Sequence, residues 1–128
     1  MILVGVAYFV VGIAFGSFAA WSASNQMRVT WRFLTFLVSG VAFAIHIGYE
    51  YFQMGHSPRA TALHAAGAVA LGAFALALAA NIHGLWVGSS HQRLLVFALV
   101  AWPVLTAVPA FVVALVAAAG LGLWRRNN

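Results

Sequence analysis

Imidazole and carboxylate side chains exchange protons near neutral pH and ligate divalent transition metals. Four such residues, His46, Glu50, His56 and His64, fall within one short stretch, and Glu50 is the only acidic residue of the chain. Their spacing supports four kinds of chemistry. His46 and Glu50, at i and i+4 of a helix, make a hydrogen-bonded pair that locks helices together. The same pair passes protons, which suits a proton, ion or small-solute transporter or channel. His46 and His64, on successive helices with Gly48 and Gly67 nearby to make room, are candidate axial ligands to a haem b. Finally, His46, Glu50, His64 and His56 together form a candidate Zn²⁺, Fe or Cu site, although no HExxH pattern accompanies them. His83 and His91 belong elsewhere along the chain and are expected to stay outside this group.

A wider polar pattern surrounds the pair. Each helical residue advances by about 100°. Measured from His46, Glu50 lies at about +40°, Gln53 at −20°, Ser39 at +20°, Thr35 at −20°, Arg32 at +40° and Arg28 near 0°. Nearly every polar residue from Arg28 to Gln53 therefore shares one face, with Thr30 and Tyr51 as exceptions near the helix ends. The opposite face is Phe, Leu, Val and Ile. Arg32, Thr35, Ser39, His46, Glu50 and Gln53 thus define a polar seam. Polar groups in hydrocarbon cost several kcal/mol, so this seam must face protein rather than lipid. The third helix offers a smooth receiving face of His64, Ala68, Ala75 and Ala79 flanked by Gly67 and Gly72. The first offers the GxxxG element Gly12–Gly16.

Composition sets the solvent that these helices meet. Of 128 residues, 65% are hydrophobic and 5% are charged, against about 25% charged in a soluble domain. Only a bilayer suits such a chain. Four apolar runs of spanning length, at about 2–21, 29–52, 59–84 and 94–124, predict one membrane domain: an all-α, four-transmembrane-helix antiparallel bundle. Polar punctuation separates the runs at Ser22–Asn25, Gly55–Pro58 and Gly88–Ser90. Ser57 is a good N-cap with Pro58 at the first helical position, and Ser89 or Ser90 is a candidate cap for the last helix. Pro103 and Pro109 should kink that helix. No basic region precedes the first run, so it reads as a retained span rather than a cleaved signal peptide. Trp21, Trp31 and Trp86 fall at one expected interface, and Tyr49, Tyr51 and Trp124 at the other.

Orientation is balanced. Arg28, Arg32 and Arg93 flank one side and Arg59, Arg125 and Arg126 the other, so the positive-inside rule finds no asymmetry. Either the chain has dual topology, or a partner or the apolar N-terminus fixes its direction.

The residue inventory excludes much. No lysine exists for Schiff-base chemistry, and no cysteine for disulfides, thiolate metal sites or thiol catalysis. Without aspartate there is no Ser–His–Asp set, and a single carboxylate side chain rules out paired-carboxylate hydrolysis. The net charge of +5 is scattered at segment ends and is no nucleic-acid signature. The sequence therefore reads as a small, non-enzymatic polytopic membrane protein with a buried polar seam centred on His46 and Glu50. It is expected to work within a homo-oligomer or a larger assembly, with the bilayer and other subunits or copies of itself as partners. A bacterial-type inner membrane is the expected location. A haem b or metal-bearing redox anchor is the first alternative, and a transporter the second.

Overall fold

A computed structural model describes residues 2–21, 24–88 and 90–127, with side chains through Trp124. Four helices follow one another: α1 (Ile2–Trp21), α2 (Asn25–Phe52), α3 (Pro58–Trp86) and α4 (Gln92–Asn127). All regular structure among the described residues is helical. The shortest helix has 20 residues, about 30 Å at 1.5 Å per residue, which matches the hydrocarbon thickness of a bilayer. All four are long and apolar enough to cross a membrane. The start of α1, the α2–α3 turn and the end of α4 mark one end of the bundle, here the near end. The α1–α2 and α3–α4 connections mark the far end.

Local chemistry explains the boundaries. Helix α2 begins at Asn25, four residues ahead of the apolar run, because Ser24 caps it by accepting from the Met27 N–H at 3.1 Å. One capped turn lets Asn25 to Arg28 be helical despite their polarity. Helix α3 starts as its sequence predicts, with the Ser57 hydroxyl accepting from the Ala60 N–H at 3.3 Å and Pro58 in the first turn. Ser90 pairs with the His91 ring at 3.2 Å, and Ser89 lies outside the described residues. Helix α4 runs on through Pro103 and Pro109. Each proline lacks the N–H that would bond the carbonyl four residues back.

Helix α3 is the axis of the bundle. Ten of its residues are buried, against two in α1 and three in α2; α1 and α4 pack on it, and α2 packs mainly on α1. Its small side chains make this feasible, because Ala and Gly let backbones approach closely. Helices α1 and α3 approach closely at Gly5 and Gly72. A Cβ on Gly72 would stand 2.8 Å from Tyr8 Cβ and 3.1 Å from the Gly5 carbonyl. The GxxxG pair is not this contact. Gly12 faces only the flexible tip of Leu76, and nothing lies within 4 Å of a Cβ on Gly16.

The near end holds a compact core. Ile47 of α2, Ala62 and Ala65 of α3 and Ala114 of α4 pack together, with Phe43, Phe111, Leu115 and Leu121 against them. Beyond this core α2 leans away from α3 and α4. At the far end its hold is on α1, where Trp31 stacks on Phe18 at 5.0 Å and meets Phe15 edge-on at 5.8 Å.

A polar node ties α3 to α4 at the far end. Buried Asn81 donates to the Ala77 carbonyl at 3.3 Å and to the Leu95 carbonyl, and its Oδ1 accepts from Gln92 Nε2 at 3.0 Å. Asn81→Ala removes both interhelical bonds. It is expected to lower bundle stability by about 1–2 kcal/mol, read as unfolding in mild detergent. Unchanged stability would mean that the node holds nothing.

Candidate functional site

Three elements bring the titratable group together. Glu50 lies in the last turn of α2 and is buried. The chain then reverses at Gly55, whose φ of +64° is a left-handed conformation that side chains other than glycine rarely adopt. This reversal returns the His56 N–H to the Glu50 carbonyl at 3.4 Å. The Ser57 cap then launches α3, and His64 follows about two turns later on the face toward α2.

The result is one carboxylate oxygen between two imidazoles. Glu50 Oε2 lies 2.5 Å from His56 Nδ1 and 2.9 Å from His64 Nδ1. The two rings meet edge-on, with centroids 4.9 Å apart. With Nδ1 protonated on both rings, the carboxylate accepts two charge-assisted hydrogen bonds, and each Nε2 remains an acceptor. Glu50 thereby closes the α2–α3 hairpin through its backbone and its side chain at once.

The partner of Glu50 differs from the one that helical spacing suggests. His46, one turn earlier on the same face, makes no direct hydrogen bond to it among the contacts described; the carboxylate turns toward α3 instead. His46 is 6% exposed, and its Nε2 has no hydrogen-bond partner among the described residues. It remains within electrostatic reach of Glu50 and His64. Thr61, fully buried one turn before His64, has an unpartnered Oγ1 as well. Unpaired polar atoms in a buried layer are uncommon and call for an explanation.

Glu50, His56 and His64 each bring one ligand atom within 4.8 Å of the others, a grouping able to hold a metal ion. Donors about 2.0–2.1 Å from a tetrahedral ion stand about 3.4 Å apart. The carboxylate oxygen sits closer than that to both nitrogens, at spacings that suit hydrogen bonds. An ion would replace the hydrogen-bonding protons and move the oxygen away from each nitrogen by less than about 1 Å.

The rest of the seam divides along α2. Thr35 and Ser39 are half-buried and line a cavity of about 530 Å³ between α2 and α4. Arg32 is exposed and lines a second cavity of about 480 Å³ at the far end, with Arg28 beside it. Gln53 is exposed at the near end, beyond Glu50. Neither cavity is lined by His46 or His64, and His64 Nδ1 is engaged by Glu50. These two cavities therefore offer no slot for a porphyrin between that pair of histidines. His83 and His91 are exposed and outside the group.

Two functional features escape sequence reasoning. One is the bifurcated pairing of Glu50, for which the only signal is that His56 and His64 flank it across a tight hairpin. The other is the Asn81–Gln92 node, marked only by two amides on either side of the far turn. Comparison of the chain with protein families, curated proteins and solved structures found no match.

Proposed function

We propose that this protein is a small non-enzymatic membrane bundle that binds a divalent transition-metal ion at Glu50, His56 and His64, as a clasp between α2 and α3. One observation carries the reading: three donor atoms, two imidazole nitrogens and a carboxylate oxygen, converge from α2, the hairpin and α3. His46, expected from the sequence to be a ligand, stands outside the three residues that converge, and its buried Nε2 is left without a partner among the described residues. Two imidazoles with one carboxylate suit Zn²⁺ or Cu²⁺. The ion is a structural element, and the chain's own residues hold it. Glu50 supplies the negative charge that offsets the ion in a low-dielectric surrounding, and the capped start of α3 fixes where His64 stands. The bundle acts within an assembly of copies or other subunits. Support for this comes from α2, which buries only His46, Ile47 and Glu50 of its 28 residues.

Titration of the purified protein with Zn²⁺ in metal-free detergent solution tests the metal reading. One ion per chain is expected, bound more weakly as the pH falls, because protons and metal compete for the same ring nitrogens. His64→Ala should reduce the affinity by about 100-fold or more, as expected for loss of one ligand of three. Absence of saturable binding in the wild type, or full binding by His64→Ala, rules the site out.

A further inference from the structure

The two cavities along α2 adjoin, with Gly12, Thr35, Phe36 and Leu76 in the walls of both. As a pair they follow α2 as a groove with two unlike ends. Its middle lies between α2 and α4 and is apolar, with Phe43, Trp102 and Val113 in its walls. Phe36 and Gly40 are exposed on its rim, so it opens sideways toward the hydrocarbon rather than along the bundle axis. Its far end carries Arg28 and Arg32.

Those arginines are one helical turn apart on one face, and like charges at that spacing repel. Glu50 is the only acidic residue, and it lies about 27 Å further along α2 at 1.5 Å per residue. Neither guanidinium makes an ion pair with a described residue. Paired guanidinium groups at the mouth of an apolar groove match a phosphate with a hydrocarbon tail. The dimensions agree. From Arg28 to Phe43 the groove follows α2 for about 22 Å, more than half of the ~30 Å hydrocarbon core, so one leaflet's acyl chain fits along it.

We infer that this groove is a binding site for an anionic phospholipid, whose phosphate lies on Arg28 and Arg32 and whose acyl chain lies between α2 and α4. It uses none of the residues of the Glu50 group, so it stands or falls independently of the metal reading. It also accounts for the loose packing of α2: the lipid completes the contact that α3 and α4 do not make.

The test is lipid retention. The intact protein is placed in nanodiscs of equal phosphatidylglycerol and phosphatidylcholine, transferred to mild detergent, and weighed with its bound lipid by native mass spectrometry. One phosphatidylglycerol per chain is expected, enriched roughly thirtyfold over phosphatidylcholine, as two interfacial arginines should provide. Arg28→Gln with Arg32→Gln should abolish that preference, whereas lysine at both positions should keep most of it. Gly40→Phe reads the other end of the groove. A Cβ at Gly40 meets nothing within 4 Å, so the backbone there accepts a side chain whose ring would occupy the groove, and retention of either lipid should fall. Circular dichroism confirms that each variant is folded. Equal retention of the two lipids by the wild type, or a preference that survives the double glutamine variant, overturns the proposal. So does a lipid-free dimer, which would place a second copy of the chain in the groove, or retention of a neutral isoprenoid instead.

Discussion

Glu50→Gln is expected to leave the bundle folded and to weaken Zn²⁺ binding by about 100-fold, equivalent to about 2.7 kcal/mol. The two effects separate because the carboxylate does two things. As an acceptor, its Oε2 takes hydrogen bonds from His56 and His64. The amide oxygen of glutamine has two lone pairs and can accept both. Stability should therefore change by no more than about 1 kcal/mol. As a ligand, the carboxylate brings a negative charge that the amide lacks, and hard or borderline divalent ions bind amides far less well. Glu50→Ala is the contrasting variant. It removes the acceptor that joins two half-exposed imidazoles to α2, at a cost of about 1 kcal/mol or somewhat more. The readouts are a Zn²⁺ titration and an unfolding transition in the same detergent, the latter without metal. If glutamine destabilises the metal-free bundle as much as alanine does, charge rather than hydrogen bonding holds the hairpin. If glutamine binds Zn²⁺ as the wild type does, Glu50 is no ligand.

Much of this arrangement is legible in the chain, for physical reasons that differ from element to element. The helices are legible because the apolar runs are long and their interruptions are strongly polar: Gly55–Pro58 contains a left-handed glycine, a serine cap and a first-turn proline in four residues. That His64 returns beside the end of α2 follows from the shortness of the same turn, although counting turns sets it level with His46 rather than with Glu50, which it meets. Which nitrogen Glu50 meets does not follow. Helical spacing places His46 near the carboxylate, but side-chain rotamers and the position of α3 decide between an intrahelical partner and a cross-helix one, and neither is encoded in spacing along α2. The cavities are less legible still. Thr35 and Ser39 share a face with His46 in any helical projection, yet that face meets α3 and α4 closely only near Ile47 and opens into a groove above it. A projection shows direction and says nothing about distance. The same limit explains the GxxxG element, whose two glycines share a face whether or not a backbone crosses there.

Gly72→Ala is expected to be the most damaging single-methyl change in the bundle, and Gly16→Ala one of the least. At Gly72 the new Cβ would stand 2.8 Å from Tyr8 Cβ and 3.1 Å from the Gly5 carbonyl. Both obstacles are fixed to the α1 backbone and neither can rotate away. Helix α1 must retreat from α3, which forfeits the close contacts along the crossing and costs about 1–3 kcal/mol by comparison with overpacked cores. Alanine's better helix propensity returns at most about 1 kcal/mol of this. At Gly16 no atom lies within 4 Å of the new Cβ, so only the propensity gain remains and stability should hold or rise slightly. Gly12→Ala falls between them, because its obstacle is the end of Leu76, which can change rotamer. Reversible unfolding of the three variants in mild detergent, with limited proteolysis to follow the release of α1, ranks them directly. The order Gly72, Gly12, Gly16 from worst to best is the expected result. A bundle that tolerates alanine at Gly72 but not at Gly16 would mean that α1 meets its partner through the GxxxG face, and the crossing at Gly5 and Gly72 would have to be abandoned.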